Sequence, residues 1–286
     1  MGFESQTDEL IPPRYANAKG YFERADIVRQ NDRFLQHARL SMPMFHSNIL
    51  FTPWVITQYE NYDSTPYDML NATKSLDVTT ALNFMNNEHP IVPNHPTIPW
   101  VQKDPRMCIT LRTWLPFLRN PPTVVITYRH PAEVGHSVAT RDHKSMVIGL
   151  NAWIAYNTAL IRNSMGLCAV MTNNADLLES PIEELHRIVD ELQTKCHLVA
   201  PPIPVPDPKL VDEFIDMKMQ GSRHKHLTPC VDGKPHFNVT TPGLNPTSKE
   251  IYRRAMKMYC DMESGIAFRP DYRGFPKPLK RRQEYH

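Results

Sequence analysis

Glycine is scarce in this chain of 286 residues, and its glycines lie far apart. Ten glycines occur, where average usage predicts about 20. The closest two, Gly265 and Gly274, are nine residues apart. The GxxxxGK[ST] phosphate loop, the GxGxxG dinucleotide motif and the GxSxG nucleophile elbow all need glycines much closer together than this. The chain therefore cannot contain any of these three motifs.

The charges of the chain nearly balance. Its 32 basic and 30 acidic side chains give a formal net charge of +2. No overall field favours nucleic acid or an anionic membrane as a partner, so an anion site has to be local. No apolar run approaches the roughly 18 residues of a membrane span, and acidic side chains occupy the amino terminus where a signal peptide is apolar. We therefore expect a cytoplasmic protein with no membrane span and no nucleic-acid partner.

Cysteine and histidine spacing predicts neither a disulfide framework nor a metal site. The five cysteines contain no CxxC pair, and they are scattered at positions 108, 168, 196, 230 and 260. Scattered cysteines of this kind favour reduced thiols. The 13 histidines show neither HExxH nor paired Cys/His spacing. We expect them to face solvent or cap helices, with no metal bound.

Strands and helices alternate in the middle of the chain. The β-branched run at 123–128 predicts a strand covered on both faces, and 167–171 predicts a second strand. A third, short strand is expected at 100–103. Apolar periodicity and starting prolines predict helices at about 24–40, 66–86, 107–118, 145–165, 181–196, 209–220 and 247–264, and Pro131 opens a further helix. This alternation predicts an α/β fold, with a parallel β-sheet flanked by helices.

The segment 124–137 carries the most informative pattern. Its predicted strand ends at Arg129, Pro131 opens a helix, and Ser137 lies about two turns inside that helix. Open α/β sheets bind ligands at the carboxyl ends of their strands. An arginine there offers a forked donor for phosphate, and the serine hydroxyl adds a further donor. The alternative is that Arg129 pairs with a carboxylate and Ser137 is a small packing residue.

Three segments, in order, resemble one enzyme family. Tyr-Arg-His-Pro-x-Glu-Val-x-x-Ser at 128–137 resembles the 3′-phosphate-binding segment of sulfotransferases that use 3′-phosphoadenylyl sulfate (PAPS). Lys-Asp-Pro-Arg at 103–106 resembles a strand-to-helix segment of the bacterial and algal members. The stretch 10–33 resembles the segment that follows the P-loop helix. With looser matches, the resemblance covers about residues 10–216 and implies a single domain over 1–286, ending in a helical extension and a basic tail.

The resemblance implies transfer of a sulfuryl group from PAPS, as co-substrate and without a metal, to an acceptor hydroxyl or amine. The acceptor is not identified: carbohydrate, lipid, protein and small molecule all stay open. Position by position, Arg129 and Ser137 would hold the 3′-phosphate of the nucleotide.

The resemblance also suggests where the acceptor is activated. Glu23 is the first candidate for the base that takes the acceptor's proton, and Asp104 is the second. Lys103 and Arg106 would bind substrate. For Glu23 the alternative is an exposed carboxylate in the first turn of a helix. For the Lys103–Arg106 stretch, the alternative is a local ion-pair network that orders the turn.

The chain also departs from the family pattern. The P-loop-like turn that holds the 5′-phosphosulfate would precede Met1, and 171–178 lacks the usual Tyr-Glu-Asp-Leu. The expected fold is thus the P-loop NTPase-like sulfotransferase fold without its first strand. Three other interpretations stay open: a truncated gene model of an active enzyme, a catalytically inactive binding protein, and an unrelated α/β nucleotide or sugar transferase.

Overall fold

A computed structural model describes the chain at residues 10–11, 22–37, 101–118, 121–143, 145–198, 207–215, 227–237 and 246–276. These residues form a mixed α/β, mostly helical structure with a small parallel sheet of two strands. They fall into two compact units. The first unit contains the described residues up to 128 and from 166 to 215, and the second contains those from 129 to 165 and from 227 onward.

In chain order the elements are α1 (Ala25–His37), α2 (Met107–Trp114), β1 (Val124–Tyr128), α3 (Pro131–Asp142), α4 (Met146–Ser164), β2 (Ala169–Asn173), α5 (Asn174–Glu179), α6 (Pro181–Thr194), α7 (Pro208–Phe214), β3 (Cys230–Val231), β4 (Lys234–Pro235) and α8 (Pro246–Glu263). The predicted helices that fall on these residues are confirmed, with ends that differ by a few positions for most of them. The helix predicted at 209–220 is shorter, because α7 ends at Phe214; residues 216–220 of that prediction lie outside the described residues. The helix predicted at 66–86 lies outside the described residues, as does the basic tail.

In the first unit, α1 and α2 pack through an aromatic pair. The Phe34 ring meets the Trp114 ring edge-on, with centroids 5.4 Å apart. Ile27 completes this fully buried cluster. Edge-to-face pairs of this kind contribute about 0.5–1.5 kcal/mol beyond the burial of their area. This contact packs α1 and α2 against each other.

The sheet of the first unit pairs β1 with β2 in parallel, with Val124 opposite Ala169. Both predicted strands are confirmed, although β2 begins two residues later than expected. The prediction that β1 is covered on both faces is wrong, because Val125 is 44% exposed while Ile126 is buried. A run of β-branched residues indicates that the segment favours a β-strand, but it does not indicate whether one or both faces of that strand are covered. Residues 101–103 are irregular, so the strand expected there does not extend over them.

In the second unit, α3 and α4 approach closely at two glycines. A Cβ atom on Gly149 would lie 2.8 Å from the Cα atom of Gly135, closer than real Cβ atoms come. Helix α8 packs on α4, where the Thr158 hydroxyl lies 3.8 Å from the Met258 sulfur. Two of the ten glycines therefore serve helix packing.

The same unit contains a hairpin that is not among the predicted strands. Strands β3 and β4 pair antiparallel across Asp232 and Gly233. Both turn residues have positive φ, 49° and 70°. An Asp-Gly pair is a common sequence signal for such a tight turn, so this hairpin could have been predicted from the sequence.

Two disulfide bonds cross-link the structure. Cys168 bonds to Cys196 in the first unit, and Cys230 bonds to Cys260 in the second. Cys108 stays a thiol. The expectation of reduced cysteines is wrong for these four, because a strand followed by helices and a hairpin followed by a helix fold back and bring together cysteines that are 28 and 30 positions apart.

Candidate functional site

Four of the six predicted site residues lie in one charge cluster of the first unit. We call it the ion-pair cluster; its members are Glu23, Asp32, Lys103, Asp104 and Arg106. Part of it precedes or lies on α1 and part precedes α2, so the packing of these two helices assembles it. Three carboxylates face two cations. With all five groups ionised, the cluster carries one net negative charge.

Glu23 is buried, but its partner reaches solvent. Its Oε1 atom accepts a hydrogen bond of 2.6 Å from Lys103 Nζ, and its Oε2 atom lies 3.8 Å from Arg106 Nη1. The side chain of Glu23 is 6% exposed and that of Lys103 is 51% exposed. The alternative of an exposed first-turn carboxylate is therefore wrong for Glu23.

The pKa of Glu23 is raised above its ordinary value. Burial is the main cause, and the negative charge of Asp104 adds to it, while the hydrogen bond and charge of Lys103 act in the opposite direction. A general base works best when its pKa approaches the working pH. Burial therefore moves the pKa of this carboxyl in the direction that suits proton transfer.

Asp104 is held on both of its oxygens. Oδ1 accepts hydrogen bonds from the backbone N–H of Arg106 (2.9 Å) and from Arg106 Nη1 (3.0 Å), and Oδ2 accepts one from Asn31 Nδ2 (2.8 Å). Its side chain is 0% exposed. This geometry suits the ordering of the turn before α2, the alternative stated above, better than it suits proton transfer to a substrate.

Arg106 is the centre of the cluster. Its Nε atom donates to Asp32 Oδ1 at 2.7 Å, and its guanidinium also faces Asp104 and Glu23. Burial raises the pKa of Asp32, and Arg106 opposes that rise. In this arrangement Arg106 binds protein carboxylates, and its predicted role in substrate binding stays a prediction.

Sequence reasoning assigned no role to Asn31, which joins the cluster to the aromatic core. Asn31 Oδ1 accepts hydrogen bonds of 2.8 Å from Thr110 Oγ1 and from Trp114 Nε1. The helical spacing could have predicted that Asn31 is buried, because Asn31 lies four residues after Ile27 and three before Phe34, on the buried face of α1. A polar residue on a buried helix face needs a partner.

Arg129 and Ser137 belong to the second unit. Arg129 Nε donates to Glu133 Oε2 at 2.8 Å, and the arginine side chain is 28% exposed. The backbone oxygen of Arg129 accepts from Trp153 Nε1 at 2.8 Å. Ser137 is partly buried in α3. The carboxylate pairing given above as the alternative for Arg129 is thus present, through its Nε–H.

In the part of the chain that the structure describes, no three or more His, Cys, Asp or Glu side chains are arranged to hold a metal ion. Nor does any helix in these ranges combine the length and the apolar character that crossing a bilayer requires.

The chain matches no protein-family model, no curated protein and no solved structure. The sulfotransferase resemblance therefore rests on the three sequence segments at 10–33, 103–106 and 128–137.

Proposed function

We propose that the protein is a sulfotransferase, which moves a sulfuryl group from PAPS to a hydroxyl or amine of an acceptor. The contact between Glu23 and Lys103 carries the proposal. The two residues come from different sequence segments, 80 positions apart, and meet in a hydrogen bond of 2.6 Å. A buried base beside a partly exposed cation is an arrangement that can receive a proton and attract an anionic donor.

In this proposal the fold is the P-loop NTPase-like sulfotransferase fold, and each residue has one task. Glu23 takes the proton of the acceptor as the acceptor oxygen or nitrogen bonds to sulfur and the sulfur–phosphate oxygen bond breaks. Lys103 pairs with Glu23 and attracts the anionic substrate. Asp104 and Arg106 hold the turn that carries Lys103. PAPS supplies the activated sulfuryl group.

Arg129 and Ser137 hold the 3′-phosphate in the proposal. Support comes from the position of Arg129 directly after β1, from its partial exposure and from the pair with Glu133, which orients its guanidinium. An oriented guanidinium loses less side-chain freedom when it binds a phosphate.

We also propose that the protein works in an oxidising compartment. Disulfides form and persist in secreted proteins and in the lumen of the secretory pathway, and they are rare in the cytosol. The two disulfides therefore weigh against the cytoplasmic location expected from the sequence.

Calorimetric titration with adenosine 3′,5′-bisphosphate tests the nucleotide site. We expect the wild-type protein to bind, and Arg129→Ala to bind at least about tenfold more weakly, because hydrogen bonds to charged groups contribute about 1.5–3 kcal/mol. Arg253→Ala, which removes an exposed arginine of α8, is the matched control and should bind as wild type does. Absence of binding by the wild-type protein contradicts the proposed function, and equal binding by Arg129→Ala contradicts the site.

A transfer assay tests the role of Glu23. With sulfur-labelled PAPS and a panel of carbohydrate, lipid, peptide and phenol acceptors, Glu23→Gln should keep nucleotide binding and lose about 10²–10⁴-fold in transfer rate. Glu183→Gln, at an exposed position of α6, is the control. Nucleotide binding with no transfer to any acceptor would support the inactive binding protein instead.

A further inference from the structure

Both ring nitrogens of His130 have backbone partners. Nδ1 lies 3.2 Å from the backbone nitrogen of Ala132, and Nε2 lies 3.3 Å from the backbone oxygen of Thr228. An amide N–H can only donate and a carbonyl oxygen can only accept. Nδ1 therefore has no proton, Nε2 carries the proton, and the ring is neutral.

The ring is buried between two parts of the second unit. It packs edge-on against Tyr259 at a centroid distance of 4.9 Å, and the Tyr252 ring lies 6.5 Å away. The Tyr252 hydroxyl donates to Thr228 Oγ1 at 2.9 Å, so α8 and the segment that contains Thr228 are joined to each other beside the ring. Tyr252 and Tyr259 of α8 are titratable side chains that face the ring, and the charged residues Arg129 and Glu133 lie one position before it and three positions after it in the chain.

A disulfide closes the same pocket. Cys230 lies two residues after Thr228, and Cys260 directly follows Tyr259, so the Cys230–Cys260 bond ties together the two segments that hold the ring. We call this arrangement of Thr228, Tyr252, Tyr259 and the disulfide the His130 pocket.

His130 also fixes the turn that presents Arg129. The backbone oxygen of His130 accepts from the N–H groups of Glu133 (3.1 Å) and Val134 (3.3 Å). Glu133 in turn binds Arg129 Nε. The backbone on both sides of the ring is therefore anchored, and Arg129 is the next residue in the chain.

We propose that His130 is a positioning residue for the phosphate-binding arginine, and that protonation of its ring weakens nucleotide binding. A proton on Nδ1 would face the N–H of Ala132 and remove the cap of α3. It would also place a positive charge at the positive end of a helix. The first turn of α3, and Arg129 with it, then loses its fixed position. This inference rests on the proposed function of Arg129.

The test compares the affinity for adenosine 3′,5′-bisphosphate between pH 5 and pH 8, the range in which histidine changes charge. The variants are His130→Asn, whose side-chain oxygen can still cap Ala132 without titrating, and His130→Ala. At pH 8 we expect His130→Ala to bind about tenfold more weakly than wild type, and His130→Asn to recover most of that loss. The ratio of wild-type to His130→Asn affinity should fall several-fold towards pH 5. Protonation of the ligand itself affects both proteins equally.

Two controls separate positioning from general damage. His236→Asn removes an exposed histidine of the same unit and should keep the wild-type pH profile. Cys230→Ser with Cys260→Ser should weaken binding several-fold, whereas Cys168→Ser with Cys196→Ser removes a cross-link of similar span in the other unit and should not. Melting curves establish that each variant is folded.

Two results would overturn the inference and leave the proposed function standing. One is a ratio of wild-type to His130→Asn affinity that does not change with pH, and the other is binding by His130→Ala that equals that of wild type. No binding by the wild-type protein overturns both. Nitrogen–proton correlation spectra of the imidazole at pH 8 need no ligand, and a proton on Nδ1 in them overturns the inference by itself.

Discussion

The Cys168–Cys196 disulfide should contribute several kcal/mol to the stability of the fold. It closes a loop over a sequence separation of 28, which contains β2, α5 and α6. In the chain-entropy relation, a loop of this length restricts the unfolded state by about 12 cal/mol/K, or about 3.6 kcal/mol at 25 °C. Replacing Cys168 and Cys196 together by serine should lower the free energy of unfolding by about that amount.

Urea unfolding at 25 °C and thiol titration check this prediction together. The unreduced, denatured wild-type protein should show one reactive thiol, from Cys108, and the double variant should show the same count. Cys108→Ser is the control: it should abolish the thiol signal and lower the free energy of unfolding by less than about 1 kcal/mol. Five thiols in the wild-type protein, or a loss of stability under about 1 kcal/mol in the double variant, would refute the argument, and the first result would also refute the oxidising compartment.

Three further predictions concern single residues. Because the folded-state pKa of Glu23 is raised, its stabilising contribution is complete below about pH 4.5 and is lost as the pH rises through the folded pKa. Relative to wild type, Glu23→Gln should therefore become more stable as the pH rises from 4.5 to 8. A difference in unfolding free energy between the two proteins that does not change with pH in urea titrations would contradict this. Asn31→Ala removes the acceptor of the buried Trp114 Nε1–H and should lower the free energy of unfolding by about 1–3 kcal/mol. Asn31→Asp keeps that acceptor but replaces the donor to Asp104 Oδ2 by a second carboxylate, so it should lose at least as much. Gly149→Ala should lower the free energy of unfolding by about 1–3 kcal/mol, because the added methyl group meets the backbone of Gly135. An unchanged midpoint of urea unfolding would disprove that close approach.

Most helices could be predicted from local features of the sequence. Pro131 and Pro181 each occupy the first turn of a helix, where a missing N–H does no harm and a fixed φ helps. The apolar spacing of Ile27 and Phe34 predicts the buried face of α1. These signals act within a few residues, so they hold whatever the rest of the chain does.

The candidate site was predictable only in part. Glu23 and Lys103 were both named from the sequence, but their contact depends on the packing of α1 against α2. Asn31 was passed over, and the burial of Asp104 and Arg106 could not be foreseen, since each depends on partners that are more than 70 positions away in the chain or on the core around them.

By itself, the sequence determined which glycine-dependent phosphate-binding motifs this chain lacks, where most of its helices begin and which residues are candidates for the site. Glycine spacing, starting prolines and apolar periodicity are local properties, and folding does not alter them. Only the tertiary structure decided which cysteines pair, which face of β1 is exposed, and which carboxyl of the ion-pair cluster has a partner at the surface. Those outcomes depend on distances between residues that are far apart in the chain, and such distances exist only after the helices have packed.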